Sequence, residues 1–443
     1  MKDEPIPPCF ACVDLESATE RLVEMFVGIA QQKRIALGQR PAERPVFRKL
    51  HGVVHARFEM APDRPFRVGV FAYDVLDAWV RFSSDTSPTS PDLGSTLGIG
   101  IKVFGVPGPK AYGGDGNTAD FVMQNFPIFF LDDAKEMCEF TYAGVVEGDY
   151  PGYLARHKKT ARILDEMAKV VEGSVLTTTY WGLLPFGIGD GKSVKYRLDP
   201  ETVPENIPDD ASDYLATDLA QRLSRLGAEY RFDFMVQPRT NPDTMPLDKA
   251  TVPWHEDESP FIKVATLSIP HQDVSARGQA EYGQSLAFNI FRVPPEQAPA
   301  SESSIAAVRK AVYAASARTR HDANGQPLED VPEPRLFEPL PTTRDECVVK
   351  AVVYPPIGIA RVGNSDAKGD EGYFIGPEVP EAVPLPPGSY RDSDGKLKRQ
   401  AARFRVYGAN AKGEIVRELT GDPKSEIRWT VELANTKAAW YGF

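Results

Sequence analysis

The sequence predicts an α+β protein: an antiparallel β-barrel with surrounding helices, followed by a small β-rich C-terminal module. Three observations carry that expectation. Short strand-like runs, often apolar on both faces, begin near Val46 and recur at hairpin spacing, separated by Pro, Asp and Gly, which suggests an antiparallel barrel. Longer runs with helical spacing flank and interrupt them. A Pro-rich, acidic stretch from residue 326 then separates this part from a tail of different composition.

In chain order, residues 14–38 carry Leu15, Leu22, Val23, Phe26, Ile29 and Ala30 near helical spacing, and Pro41 and Pro45 end that helix. The expected strands are His51–Met60, Phe66–Phe71, Ala78–Ser83, Gly98–Phe104 and Asp120–Phe130. Residues 132–171 and 211–226 read as helical, while Ser174–Tyr180, Val194–Leu198, Tyr230–Val236 and Phe261–Ser268 return as strands to the barrel. A connector at 294–304 leads into an alanine-rich, proline-free helix. The domains are therefore placed at 1–325, with a linker at 326–345 and the β-rich module at 346–443. In the module, Val348–Val353, 402–407 and 427–433 are expected strands and Pro355–Asn364 a Gly-rich turn. There is no internal repeat and no glycine loop with phosphate-binding spacing.

A net charge of −11 argues against nucleic acid or an anionic membrane as partner, since both favour a basic face. No apolar run approaches membrane-spanning length, and the N-terminus lacks a basic start followed by an apolar core, so a cytoplasmic protein is expected. The cysteines, Cys9, Cys12, Cys138 and Cys347, are too few and scattered for a disulfide framework and read as incidental thiols.

The proline-free helix holds the chemistry. Arg309, Tyr313, Ser316 and Arg320 are offset by four, three and four residues, so they share one stripe. A fixed guanidinium beside a phenol favours its ionised form, and phenolate oxygen can ligate haem iron.

Three pieces together resemble the haem catalase superfamily, and more closely its catalase-related peroxidase branch, over roughly residues 10–325. Val80-Arg-Phe-Ser83 is similar to the strand whose arginine meets a haem propionate. Gln124-Asn-Phe-Pro-Ile-Phe-Phe130 is similar to the distal asparagine segment, and the helix matches the proximal pattern Arg-x3-Tyr-x2-Ser/Thr-x3-Arg. The resemblance implies a catalase-like fold holding haem b, with Tyr313 as axial ligand and Arg309 as its hydrogen-bonding cation. It further places Arg81 and Arg320 on the propionates, Ser83 beside the cofactor, and Asn125 as donor to peroxide on the opposite face.

Catalases also place a distal histidine in a His-x-Lys-Gly context, where it moves a proton between the two peroxide oxygens. This chain has no such motif. Val53-Val-His55-Ala-Arg57 offers His55, while alignment on the later part of the strand puts the distal position at Phe47 or Arg48. Period-two alternation puts His51 and His55 on one strand face, leaving three alternatives: His55, His51 or no distal histidine. His157, His255, His271 and His321 lie outside any motif.

The C-terminal segments Val353–Asn364, Tyr373–Pro380, Lys398–Tyr407 and Trp429–Tyr441 resemble the N-terminal part of the cysteine tryptophylquinone lysine ε-oxidase and glycine oxidase family. The quinone-forming pair belongs to later parts of that family, so a docking or assembly module is expected. Together the resemblances imply a haem peroxidase that reduces hydrogen peroxide or an organic hydroperoxide with a small organic electron donor. It is expected as a homo-oligomer beside a quinone-dependent amine oxidase, whose peroxide it removes. The alternatives are a catalase-like scaffold without peroxide cleavage and a hydroperoxide isomerase or dehydratase.

Overall fold

Aromatic rings that meet from non-adjacent strands define the inside of the molecule's barrel. The computed structural model describes residues 12–202, 213–225, 227–276, 278–326, 335 and 337, and beyond these six short strands and residue 419. Eight strands close into an antiparallel barrel in sequence order: β1 (Lys49–Met60), β2 (Val75–Ser84), β3 (Leu97–Pro109), β4 (Asp115–Gln124), β5 (Tyr180–Gly187), β6 (Ser193–Pro200), β7 (Glu229–Pro238) and β8 (Ile262–Pro270). The ring closes where β1 pairs with β8, from Arg57↔Ser268 to Met60↔Ala265.

Phe58 of β1, Phe121 of β4 and Phe234 of β7 lie 4.8–5.7 Å apart between centroids, which is only achievable across the interior. Phe82, Tyr180 and Phe232 extend this core. Each buried ring contributes on the order of 2 kcal/mol, so the barrel is a packed core rather than a channel. Alternation then puts the neighbours of these rings outside. Arg81↔Gly100, Ser83↔Gly98 and Gly98↔Gln124 form adjoining rows on the outer face of β2, β3 and β4.

Three expected strands differ. Phe66–Phe71 is not a strand: Gly69 adopts φ +54°, a short 3₁₀ turn follows over Gly69–Ala72, and the Phe71 ring enters the barrel to meet Phe121 and Phe234. Ser174–Tyr180 joins the sheet only at its last residue, because the Thr178 hydroxyl donates to the Ser174 carbonyl at 2.7 Å and the Leu176 N–H to the Ser174 hydroxyl. The strand from Asp120 ends at Gln124, three residues before Pro127, which has no N–H for a ladder.

The helices are α1 (Leu15–Val23), α2 (Gln32–Ala36), α3 (Ala134–Tyr142), α4 (Tyr150–Arg156), α5 (Lys158–Met167), α6 (Tyr214–Leu223), α7 (Gln279–Ser285) and α8 (Ser304–Ala323). A π-helical stretch, Glu24–Gln31, makes α1 and α2 continuous, and Asp14 and Ser17 form a capping box at the start of α1. Leu22 and Met25, Ala134 and Tyr142, and Val308 and Val312 of α8 pack in one cluster. Cys12 and Cys138 belong to that cluster and form a disulfide, Cα–Cα 6.1 Å, against the expectation of free thiols. A pairing across 126 residues is set by tertiary packing and leaves no trace in local spacing. Cys9 and Cys347 lie outside the described residues.

The chain divides into two compact units: Met1–Leu219 with Glu229–Pro270 and Glu281–Phe337, and Ala220–Ala228 with His271–Ala280 and Glu338–Phe443. In the second, β9 (Lys350–Tyr354), β13 (Arg405–Ala409) and β14 (Ile415–Glu418) form one sheet, and β10 (Gly358–Val362), β11 (Glu371–Ile375) and β12 (Val383–Pro384) another. The stretch expected as a turn at Pro355–Asn364 thus contains a strand, paired with β11. The expected strand 427–433 and most of the linker 326–345 lie outside the described residues. No described helix is long and apolar enough to cross a membrane.

Candidate functional site

The stripe expected on α8 is present. Alanines along the helix keep backbone propensity high, and the Ser304 N–H and hydroxyl fix its start on Asp248 at 2.7 Å. Arg309 Nε donates to the Tyr313 phenolic oxygen at 3.0 Å, and Nη2 donates to the same atom. Ser316 is buried, and its carbonyl accepts from Gln31 Nε2 at 3.2 Å. One helical turn on, Arg320 is 1% exposed and donates through Nη2 to the Leu286 carbonyl at 3.1 Å.

Facing chemistry comes from the barrel. Arg81 is buried on the outer face of β2, and its Nη2 donates to the Phe47 carbonyl at 3.0 Å. Arg44, from the loop after α2, donates to Gln284 Oε1 at 2.8 Å and also to the Leu286 carbonyl that Arg320 uses. Burial pushes the Arg81 guanidinium down to about 9, with repulsion from Arg320 adding to it. Burial alone pushes Arg320 to about 10, and Arg44 is pushed well below its usual range by burial, Arg320 and Arg81. All three remain cations at neutral pH. The Nε atoms of Arg81 and Arg320 are buried and unpartnered.

The histidines do not share a face. A bulge between Leu50 and Gly52 inserts His51 as an extra residue and breaks the alternation on which that expectation rested. Its Nε2 meets the Ser84 hydroxyl at 2.6 Å, on the side of the strand that Phe82 shares. Burial first, then Lys49 and Arg81, push the His51 imidazole down to about 3, so it is neutral. His55 keeps the outer face, opposite Trp79, where its ring stacks on Phe337 at 4.1 Å and its Nε2 bonds Asp77. Arg48, the alternative distal position, pairs with Glu43 at 3.0 Å. His157 stacks on Tyr153, His271 bonds the Ser224 carbonyl, and His321 Nε2 lies 3.2 Å from Arg320 Nη2.

Asn125 sits past the end of β4. Its Oδ1 accepts from the Leu97 N–H at 2.8 Å, and its side chain also hydrogen-bonds Glu172, a carboxyl raised by burial. Its neighbour Gln124 holds the outer-face position beside Gly98, 7% exposed, with Nε2 unpartnered. Ser83 completes the row, its hydroxyl 3.5 Å from the Gly98 carbonyl. Sequence reasoning missed Gln124 and Arg44. Inward-facing Phe121 and Met123 carry a parity signal that points to Gln124; Arg44, in a loop between prolines, has no such signal.

Glycine occupies this face twice and makes room there for two aromatic rings. A Cβ on Gly98 would come within 2.5 Å of the Phe47 ring, and one on Gly100 within 3.1 Å of Phe288. Among the described residues, no group of three His, Cys, Asp or Glu side chains is arranged to hold a metal.

Comparison with known structures finds this arrangement of strands and helices in catalases. A fungal catalase matches 65% of this chain and 61% of its own, with 17% identity and a TM-score of 0.51. Catalase A from Saccharomyces cerevisiae matches 65% and 63%, again at 17% identity, with a TM-score of 0.52. The barrel unit has the catalase fold. Residues 354–443 match the family described as L-Lysine epsilon oxidase N-terminal. The L-lysine 6-oxidase of Marinomonas mediterranea is 36% identical over 103 residues, 20% of this chain. The chain spans 13% of that oxidase and about three-fifths of the catalases.

Proposed function

We propose that the barrel unit binds haem b between α8 and the outer face of β2–β4 and reduces hydroperoxides. The observation that carries this reading is the trio of a half-buried Arg44 and a buried Arg320, which converge on the Leu286 carbonyl, and a buried Arg81, with the Nε atoms of Arg81 and Arg320 unpartnered. Buried like charges are costly until counter-charges arrive, and the two haem propionates supply two carboxylates. The phenolic oxygen of Tyr313, already accepting from Arg309, fits the same group. Tyr313 would hold the iron through the phenolic oxygen that Arg309 already hydrogen-bonds; Arg81 and Arg320 would hold the propionates.

When bound, haem supplies the redox chemistry of O–O cleavage. The balanced reaction is ROOH + AH₂ → ROH + H₂O + A, with AH₂ a small organic two-electron donor. Gln124 would supply an N–H toward the substrate side, while Arg309 orients the phenolic oxygen of Tyr313 by donating to it. Reconstitution of the purified chain with haem is expected to give a Soret band that Tyr313→Phe loses; a wild-type chain that takes up no haem sinks the proposal.

A second reading, a catalase-like partner domain without peroxide cleavage, is favoured by the engagement of both His51 and His55 with other groups. Haem-loaded protein inert to every hydroperoxide tested would establish it. The likeness of residues 354–443 to an L-lysine 6-oxidase supports a role beside a peroxide-forming amine oxidase. Affinity purification that recovers no quinone-dependent oxidase from the native cell would remove that part.

A further inference from the structure

We infer that Phe47 and Gln124 form the substrate-side wall of this site, and that this wall, lacking a base, selects an organic hydroperoxide with an apolar substituent over hydrogen peroxide. The inference rests on the haem reading above and adds the substrate class.

Phe47 is held in place at a cost. Its φ is +51°, a conformation rarely adopted by a bulky L-residue. Two bonds fix it there: its carbonyl accepts from Arg81 Nη2 at 3.0 Å, and its N–H donates to the Asp85 carboxylate at 3.3 Å. The ring consequently lies against Gly98, closer than any side chain there would permit. Across the strands from Gly98 stand Ser83 and Gln124. The wall therefore presents one aromatic ring, one hydroxyl and one buried amide with a free N–H.

None of those groups accepts a proton at neutral pH. Among the described residues, the charged and titratable neighbours each hold another group: Arg81 the Phe47 carbonyl, Asp85 the Phe47 N–H, Glu43 the Arg48 guanidinium, Glu172 the Asn125 side chain, His51 Ser84 and His55 Asp77. Hydrogen peroxide needs a base to carry a proton from one oxygen to the other, a contribution of about 100-fold or more. An organic hydroperoxide brings an apolar group that Phe47 can bury. Binding energy from that remote group holds the O–O bond beside Gln124 and offsets the missing proton transfer. Each added methylene in such a pocket changes specificity by at least about 10-fold.

The test uses the haem-loaded full chain. Hydrogen cyanide must lose its proton to bind ferric haem, so its association rate reports a base without any turnover. Wild-type protein is expected to bind cyanide slowly, and Phe47→His about 100-fold faster. Phe47→Leu, which stays apolar and guards against a misfolded histidine variant, should remain slow. Gln124→Leu should weaken fluoride, which accepts a hydrogen bond, by about 10-fold. Turnover should favour cumene hydroperoxide over hydrogen peroxide. A Soret band accompanied by fast wild-type cyanide binding, or by preference for hydrogen peroxide, overturns this inference and leaves the haem reading standing. Absence of any Soret band overturns both.

Discussion

The two walls of the candidate site are built in opposite ways. On α8 the groups around Tyr313 satisfy one another, since Arg309 donates to it within a single helix, although Arg320 further along keeps an unpartnered Nε; the helix is held by an apolar cluster that includes a disulfide. The barrel wall is assembled from four segments and leaves its groups in tension, with unpartnered nitrogens on Arg81 and Gln124 and a strained backbone at Phe47. The difference teaches where ligand binding should act. Around Tyr313 the helical wall is preformed and should hardly change on loading, whereas the barrel wall, with Arg320 facing it, has unsatisfied donors that a ligand relieves.

The largest expected effect breaks the helical wall at one atom. Tyr313→Phe removes only the phenolic oxygen and should leave the fold intact by circular dichroism while abolishing the haem absorption signature. Retention of an unchanged Soret band would falsify the proposal that Tyr313 holds the haem iron.

Next in size is the pH response of the barrel wall. His51 is held neutral, its imidazole pushed to about 3 from an ordinary 6.5 by burial, Lys49 and Arg81. Between these values the unfolded chain binds a proton that the folded chain refuses, so stability rises with pH through this window and falls as pH drops. The full linkage amounts to about 5 kcal/mol at 1.36 kcal/mol per unit. Urea unfolding of wild type and His51→Gln between pH 7 and 3 should show a steep loss in the first and a much shallower one in the second; parallel curves would mean that His51 is not buried neutral.

His51 also marks the limit of what could be read from the sequence. On α8 the 3.6-residue period tolerates no ambiguity over twelve residues, so the stripe from Arg309 to Arg320 was legible. The barrel was legible too, because short strand-like runs recur at hairpin spacing between Pro, Asp and Gly turns. Side-chain direction in a strand has a period of two, so one bulged residue reverses it, and nothing in Leu50-His51-Gly52 announces the bulge. Gln124 and Asn125 differ by the same parity at a strand end, where the motif resemblance draws attention to the asparagine. The 3₁₀ turn at Gly69 was hidden because an apolar run reads alike whether it pairs in a sheet or plugs its interior.

The helical wall can be loosened from behind. Cys12–Cys138 closes a loop of more than a hundred residues, and removing such a link costs about 2–5 kcal/mol. Cys12→Ser with Cys138→Ser should lower the urea midpoint accordingly and, because Val308 and Val312 of α8 share that cluster, weaken haem retention as well. A variant with reduced stability but undiminished retention would separate the packing of α8 from the site it carries.

The smallest effect is the most diagnostic, because the two walls predict opposite signs for one substitution. If the barrel wall is in tension, Arg81→Leu relieves repulsion with Arg44 and Arg320 and removes an unpartnered buried nitrogen, at the loss of one hydrogen bond to the Phe47 carbonyl. Replacing a buried charge by an apolar side chain is often neutral or stabilising by about 1–4 kcal/mol, and a lost hydrogen bond costs about 1 kcal/mol. The haem-free variant should therefore unfold at the wild-type urea midpoint or slightly above it. Loaded with haem, it lacks one propionate partner and should lose roughly 10-fold in affinity, since a hydrogen bond to a charged group contributes about 1.5–3 kcal/mol. Arg309→Leu, on the self-satisfied helical wall, should lose on both measurements. If Arg81→Leu also destabilises the haem-free chain by more than about 2 kcal/mol, the guanidinium trio is structural, and the argument that its unpartnered nitrogens await two carboxylates fails.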